Sequence, residues 1–599
     1  MKTQYAAALL AGTIVAALPV HAQTANTAQT ASQKGTSYDR MVVFGDSLAD
    51  GGYYLTLDPR LPREAGSFTT NPDPVSPEVL AARLGLPLAP FYGQGGTNYA
   101  VGGARVTAAN ALSIPVTTQI SNYLAAGGKF GPRDLVYIQG GGNDYFAFQA
   151  AGSTNNAILT TAATQLADQV RRVQAAGATR IITLAVQTGG AAGLQLFNST
   201  FASALAAGNV NALYFDTDRL FNELVSSPST YGYTNVTGVA CTVPSSLSCT
   251  RSTLVAPNAN ETYILADSVH PAGMTQRIQG QAIASLVQAP EQIAGLGYAA
   301  QAMFRAQRDL MEGPQRGGSQ RLGRGLSVFG SAAYHYYSTG TSAQHVGLTE
   351  RGFTGAAGAD LAIGAASGVG VVGGYSSGTG DFAAGAGSYK PRAWSVSGYA
   401  RGELGPVRLL ADGTYGEIDY RRIRRSVQLG PALRSHEGRT DGDYVAGRVT
   451  AAFDLFARGG VAFGPDVAVQ YDRVRLDGYA EGGGLSTAAT FGDQQIESLT
   501  GRFGAVVRSV PGQPVRMFAR AGYEREFDDD PRTFTITPTG APISFTSDVM
   551  RADRSYMSYA FGVDGQIAGA LSLRGGVSGY ALRDDRDSVT AFAGLSAAF

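Results

Sequence analysis

The chain has 599 residues, too many for one hydrophobic core and enough for about two to four domains. Lys plus Arg and Asp plus Glu number 46 each, so composition excludes both the basic excess of a nucleic-acid binder and an acidic disordered tail. Charged residues make up only 15 %, against 79 glycines, 29 tyrosines and one tryptophan, a balance uncommon in soluble enzymes. With no long apolar run, it fits a transmembrane β-barrel, whose alternating strands never produce a helical hydropathy peak.

The first residues, MKTQYAAALLAGTIVAALPVHAQ, carry one Lys, an apolar stretch from Ala6 to about Val20 and the small-residue site Val20-His21-Ala22. This predicts a secretory signal peptide over 1–22, because the apolar run is too short to span a bilayer comfortably. A flexible segment is expected over 23–37. Cys241 and Cys249 then sit in an export compartment where a disulfide can form and clip a Ser-rich loop, a free pair being the alternative.

From about Thr36 to Gln288, apolar runs (MVVF, DLVYI, RIITLAV, ALYF) alternate with helical stretches such as NAILTTAATQLADQVRRVQAAG. Strands separated by helices predict a parallel sheet in an α/β domain over 38–289. PEQIAGLGYAAQAMFRAQRDLME, Pro290 to Glu312, has Pro at its start and Gly-Pro just past its end, which predicts one helix within a linker over 290–315.

Over 316–599 the pattern becomes strict period two. In LSVFGSAAYHYY, Leu326, Val328, Ala332, Tyr334 and Tyr336 oppose Ser327, Ser331 and His335. In WSVSGYARGEL, Trp394, Val396, Ala400 and Leu404 oppose Ser395, Ser397, Arg401 and Glu403; in VRMFARAGYE, Val515, Met517, Ala519 and Tyr523 oppose Arg516, Arg520 and Glu524. One apolar and one polar face per strand predict lipid outside and a polar lumen, in a barrel of about twelve antiparallel strands. Short connections (AAS, PGQP, AG) alternate with long ones (Ser338 to Glu350, Asp477 to Glu497, Asp528 to Asp553), and the last strand ends on Phe599.

The order of signal, exported domain, helix and C-terminal barrel ending in Phe resembles a monomeric autotransporter of the outer membrane. The resemblance implies that the helix threads the barrel and displays the exported domain on the cell surface. Arg305, Arg308, Asp309 and Glu312 are compatible with the polar lumen this requires. It further implies outer-membrane lipids and the barrel-assembly machinery as partners, no nucleic acid, and a monomer.

VVFGDSLADGG raises the question of chemistry. Ser47 after a strand is, taken alone, more often a cap than a nucleophile. Three further blocks follow in order: NYAVGGA at Asn98 to Ala104, QGGGND at Gln139 to Asp144, and ADSVHPAG, which sets Asp267 three residues before His270. Together the four blocks resemble the GDSL, or SGNH, family of esterases and lipases, and FTTNPDPVSPEVLAARLGLPLAP resembles its autotransporter members. The resemblance implies a flavodoxin-like three-layer α/β hydrolase domain without cofactor or metal.

The chemistry explains the residue types. A serine hydroxyl is a poor nucleophile and needs a base that can take a proton and return it; the resemblance implies that His270 is that base and that Asp267 orients its ring and stabilises the imidazolium. The family pattern assigns the oxyanion donors to the Ser47 backbone N–H, a glycine of the second block and the Asn143 amide. Gly102 is the first choice of glycine and Gly103 the second. Asp46 and Asp50 read as first-turn helix charges, simple turn residues are the alternative for Asn143 and Asp144, and the acidic runs FDDDP and RDDRD read as solvated, with divalent-cation or lipopolysaccharide contact as the alternative. No Cys/His metal spacing and no phosphate loop occurs. The expected function is a surface-displayed serine esterase or lipase acting on carboxylic esters through an acyl-enzyme. The alternatives are a phospholipase or carbohydrate deacetylase on the same site, or an inactive adhesin.

Overall fold

The computed structural model describes residues 38–599 except 110–111, 318–324, 365, 511–512, 514, 529 and 585, and leaves out the side chains of 312–317. The expected signal peptide, the segment 23–37 and the Glu312 side chain lie outside the described residues.

Four parallel strands form the α/β sheet: β1 (Arg40–Phe44), β2 (Asp134–Ile138), β3 (Arg180–Leu184) and β4 (Leu213–Phe215), adjacent in that order. On the free edge of β1, Val43 bridges in parallel to Asn98, so the Asn98 segment stands where a doubly wound sheet places its second strand in sequence. Each strand is apolar on both faces, as burial between helical layers requires. Met41, Val43, Leu135 and Tyr137 point to a layer containing α1 (Ser76–Arg83) and the start of the long helix described below. Val42, Phe44, Val136 and Ile138 point to a layer of α2 (Val116–Ala125), α4 (Ala157–Ala175) and α5 (Ala192–Ala207). Two more helices, α3 (Gly142–Ala150) and α6 (Thr217–Ser226), follow β2 and β4.

The linker helix begins earlier than its sequence suggests. A single helix of 45 residues, α7 (Gly273–Gly317), runs through Pro290. An interior proline removes one backbone hydrogen bond and costs about 3 kcal/mol. Here it is offset by burial on every side: Ala289 through Ala300 are all buried, and Leu286, Ile293 and Leu296 have no exposure at all.

Twelve antiparallel strands close around the second half of α7: β5 (Gly325–Thr339), β6 (Leu348–Ala362), β7 (Ser367–Phe382), β8 (Gly387–Leu404), β9 (Val407–Leu429), β10 (Ala432–Phe453), β11 (Val461–Leu476), β12 (Gln494–Ser509), β13 (Val515–Glu526), β14 (Ser555–Ala568), β15 (Leu571–Ala581) and β16 (Arg586–Ala598). Closure is made by β16 pairing with β5 and β10 with β11. The faces fall as the alternation predicts, with Leu326, Val328, Trp394, Val396, Val515 and Met517 exposed on the lipid side and His335, Ser395, Ser397, Arg520 and Glu524 buried inside. In the lumen, Arg305 of α7 pairs with Asp472 at 2.7 Å, and Arg308 reaches Asp412 and Asp472 at 3.0 Å each. Phe304 stacks on Tyr444 with ring centroids 4.3 Å apart.

The long connections are not plain loops. Tyr479–Ala480, Ala489–Phe491, Arg532–Pro538 and Phe545–Val549 pair into a four-stranded sheet, a collar at the end of the barrel that faces the α/β domain. The RDDRD run is not wholly solvated either: Arg583 pairs with Asp553 at 2.9 Å, and the buried Arg586 lies 4.2 Å from the Tyr298 ring. One continuous apolar core joins the sheet, α7, the collar and the barrel mouth.

Candidate active site

Open α/β sheets bind ligands beyond the carboxyl ends of strands, where the strand order reverses. Here that point lies between β1 and β2, and the residues singled out from the sequence gather there. No helix starts directly at the end of β1; residues 45–50 turn sharply, with Ser47 in the turn. Gln119 grips both sides of the turn's first residue, its Oε1 accepting from Gly45 N–H at 2.9 Å and its Nε2 donating to Gly45 O at 2.8 Å. Asn98 donates to Ala49 O at 2.8 Å, tying the second block to the first.

Ser47 Oγ is 2.9 Å from His270 Nε2. On the far side of the ring, Nδ1 lies 2.9 and 2.8 Å from the two oxygens of Asp267. Asp267 also accepts the backbone N–H groups of Val269, His270 and Ser246, the last at 2.7 Å. Burial works to raise this carboxyl, but the bonds from His270 and Ser246 outweigh it and hold Asp267 well below the usual carboxylate range. Cys241 and Cys249 are joined by a disulfide that closes the loop presenting Ser246.

Asn143 stands in the first turn of α3, its Nδ2 donating to Ala104 O at 3.0 Å. An amide carries two N–H bonds, so one remains for a ligand while the other fixes the plane. Asp144 is no turn residue: it accepts from Arg105 at 3.0 Å and from Val106 N–H at 2.9 Å, fastening α3 to the second block.

The reading of Gly102 as an oxyanion donor needs correction. Its N–H donates to Asp50 Oδ2 at 2.8 Å, and one proton cannot also serve a substrate. Gly102 is glycine for another reason: a Cβ there would meet the Phe68 ring at 2.2 Å and the Tyr54 ring at 2.9 Å. Gly103 follows with φ of 75°, in the left-handed region.

Residues 41–283 match the family model described as GDSL-like Lipase/Acylhydrolase, and residues 328–578 the one described as Autotransporter beta-domain. The chain is a GDSL-family autotransporter. The autotransporter is similar to Esterase EstA of Pseudomonas aeruginosa, 26 % identical over 624 residues that cover 93 % of this chain and 95 % of the relative. It is also similar to Lipase 1 of Photorhabdus luminescens, 23 % identical over 89 % of this chain and 92 % of that one. Among solved structures, the translocator domain of NalP from Neisseria meningitidis aligns over 49 % of this chain and 96 % of its own, with a TM-score of 0.39 and 16 % identity. The GDSL domain makes the autotransporter a carboxylic ester hydrolase, and the β-domain places it in the outer membrane with the α/β domain at the cell surface.

Sequence reasoning missed part of the autotransporter's site. Asp46 and Asp50 are buried rather than helix charges. Asp46 accepts from Gln139 Nε2 at 2.5 Å and Leu48 N–H at 3.0 Å, and burial raises its carboxyl. Asp50 has no exposure and accepts the N–H groups of Gly52, Tyr53 and Gly102, so it bolts the Ser47 turn to the second block. Burial lifts it to about 6 against those bonds. Desolvation likewise lifts nearby Glu78 to about 7, with Asp50 adding to the rise. Phe68 packs on His270 with centroids 5.0 Å apart. The segment around Asn71, which bonds Ser246 O and Cys249 O, holds Phe68 beside the disulfide loop.

Proposed function

We propose that the autotransporter hydrolyses carboxylic esters by a two-step acyl transfer at Ser47. The observation that carries this reading is the unbroken chain from Ser47 Oγ through both ring nitrogens of His270 to Asp267. Nδ1–H donates to Asp267, which fixes the tautomer and leaves Nε2 as acceptor for the Ser47 hydroxyl proton. Ser47 Oγ bonds to the ester carbonyl carbon as its proton passes to Nε2, and the tetrahedral oxyanion is held by the Ser47 N–H and the remaining N–H of Asn143. Collapse expels the alcohol, which takes the proton from Nε2. Water then repeats the sequence on the acyl-enzyme, releasing the acid and restoring Ser47.

Purified, refolded protein should show a burst of p-nitrophenol equal to the enzyme present and become covalently labelled by a fluorophosphonate. Ser47→Ala should lose both, and His270→Ala should lose nearly all turnover, because residues acting as a unit fail together. Asn143→Ala should lower kcat about 10²-fold or more, the usual loss for one oxyanion donor. A Ser47→Ala protein that still turns over esters refutes the mechanism.

A further inference from the structure

The proposed site and the membrane lie at opposite ends of the molecule. Three of the four parallel strands begin against residues of the barrel domain. Just before β1, Tyr38 O accepts from Gln344 at 3.0 Å; Arg180, the first residue of β3, lies 3.6 Å from Asp548; and ahead of β4, Asn211 exchanges two hydrogen bonds with the Thr546 backbone at 2.8 and 2.9 Å. The other ends of the strands carry the site, with β1 leading into Ser47 and β2 toward Asn143. The hydrogen-bond partners of Ser47, Asn143, Asp267 and His270 described above all belong to the α/β domain.

Helix α7 measures the separation. It starts three residues after His270 and ends at Gly317, at the end of the barrel where β5 begins. At 1.5 Å per residue its 45 residues span about 67 Å. The apolar band of a barrel is about 25 Å tall and takes up about 17 of them. Roughly 40 Å then separates the lipid surface from the site. A lipid anchored in that membrane reaches the serine only if both its chains leave the bilayer and expose every methylene to water. The segments around the site nevertheless expose apolar side chains: Leu57 is 52 % exposed, Leu112 68 %, Val269 41 % and, on α3, Phe146 44 %. Exposed apolar side chains on the segments that carry the site suit an apolar partner, and that end of the domain is the one away from the barrel.

We propose that the enzyme takes acyl esters in trans, as lipid-like esters presented from the medium, and that ester lipids of the membrane in which it is anchored are not its substrates. This rests on the serine-esterase reading above. The full chain is reconstituted into vesicles of non-hydrolysable ether phospholipid, and one fluorogenic two-chain ester lipid is placed either in the same vesicles or in separate ones. Hydrolysis should rise in proportion to the concentration of separate vesicles. With the probe in the host vesicles it should be at least 100-fold slower and fall further on dilution. Hydrolysis in the host vesicles at a rate independent of dilution overturns the proposal, as does failure to attack the probe in separate vesicles while p-nitrophenyl butyrate is turned over. Loss of p-nitrophenyl butyrate turnover itself indicts the esterase reading instead. Phe146→Glu and Leu112→Glu should lower the rate on separate vesicles about 10-fold while leaving the soluble ester within about 2-fold; equal loss on both substrates counts against the docking face.

Discussion

Asp50 performs no step of the proposed reaction, yet three backbone N–H groups converge on it, and one belongs to Gly102 of the second block. Asp50→Asn turns one acceptor into a donor facing those groups, so the Ser47 turn should shift against the second block. Misplacing the Ser47 N–H predicts a fall in kcat of about 10²-fold with KM little changed, measured by steady-state kinetics on a soluble ester. The raised carboxyls have a thermodynamic sign. Asp50 at about 6 and Glu78 at about 7 hold protons in the folded state that the unfolded chain has lost above about pH 4. Their contribution is therefore complete below about pH 4 and is lost as pH rises through 6 to 7. Asp267, held low, acts oppositely, contributing above the carboxylate range and losing this at acid pH. Glu78→Gln should raise the thermal midpoint at pH 8 but not at pH 5, by a few degrees once partial exposure is discounted, as followed by thermal inactivation. That Ser47, His270, Asp267 and Asn143 come together was legible in the sequence through the resemblance of the four blocks that carry them to the GDSL family. That Asp50 takes the Gly102 N–H was not, because it turns on where a buried acceptor sits, and GDSLADGG reads equally well with Asp50 as a helix charge.

The disulfide loop supports the site from a distance of sequence. Its Ser246 N–H supplies one hydrogen bond to Asp267, and the cross-link spans 8 residues. Removing it with Cys241→Ser and Cys249→Ser should cost about 2–3 kcal/mol of local stability by the loop-closure argument. If the Ser246 bond is lost with it, kcat should fall about 10-fold, the worth of one hydrogen bond to a charged acceptor. Turnover with and without a reducing agent checks this, and an unchanged kcat in the double variant would show that the loop holds without its bridge. The barrel strands were read with the right faces because lipid outside and polar groups inside impose period two on every strand. The collar sheet escaped, since its strands of two to seven residues lie in connections and draw their order from α7 and the α/β domain. Pro290 misled for a related reason, as local propensity marks a helix start there while the burial that overrides it is tertiary.

Across the whole molecule, ion pairs act at two levels, one set fixing α7 in the lumen and another tying the α/β domain to the mouth of the barrel. Within the lumen, Asp472 meets two arginines, so Asp472→Leu leaves Arg305 without its carboxylate and Arg308 with Asp412 and the Tyr444 hydroxyl. Breaking a buried pair on one side costs about 3–5 kcal/mol, which should lower the temperature at which the barrel loses its folded gel mobility while kcat on a soluble ester stays unchanged. Pairing Asp472→Leu with Arg305→Met should recover part of that loss. Toward the cell exterior, Glu223 of α6 pairs with the buried Arg434 of β10 at 2.8 Å, a contact across 211 residues that no local pattern announces. Between these levels, Ala289 through Ala300 are buried without interruption, so the stretch where a tether would be cut offers no extended, accessible chain to a protease. An enzyme that stays joined to its barrel has its concentration set by envelope area rather than culture volume. Its products are released within one domain's height of the cell that made it, where that cell has the first chance to take them up.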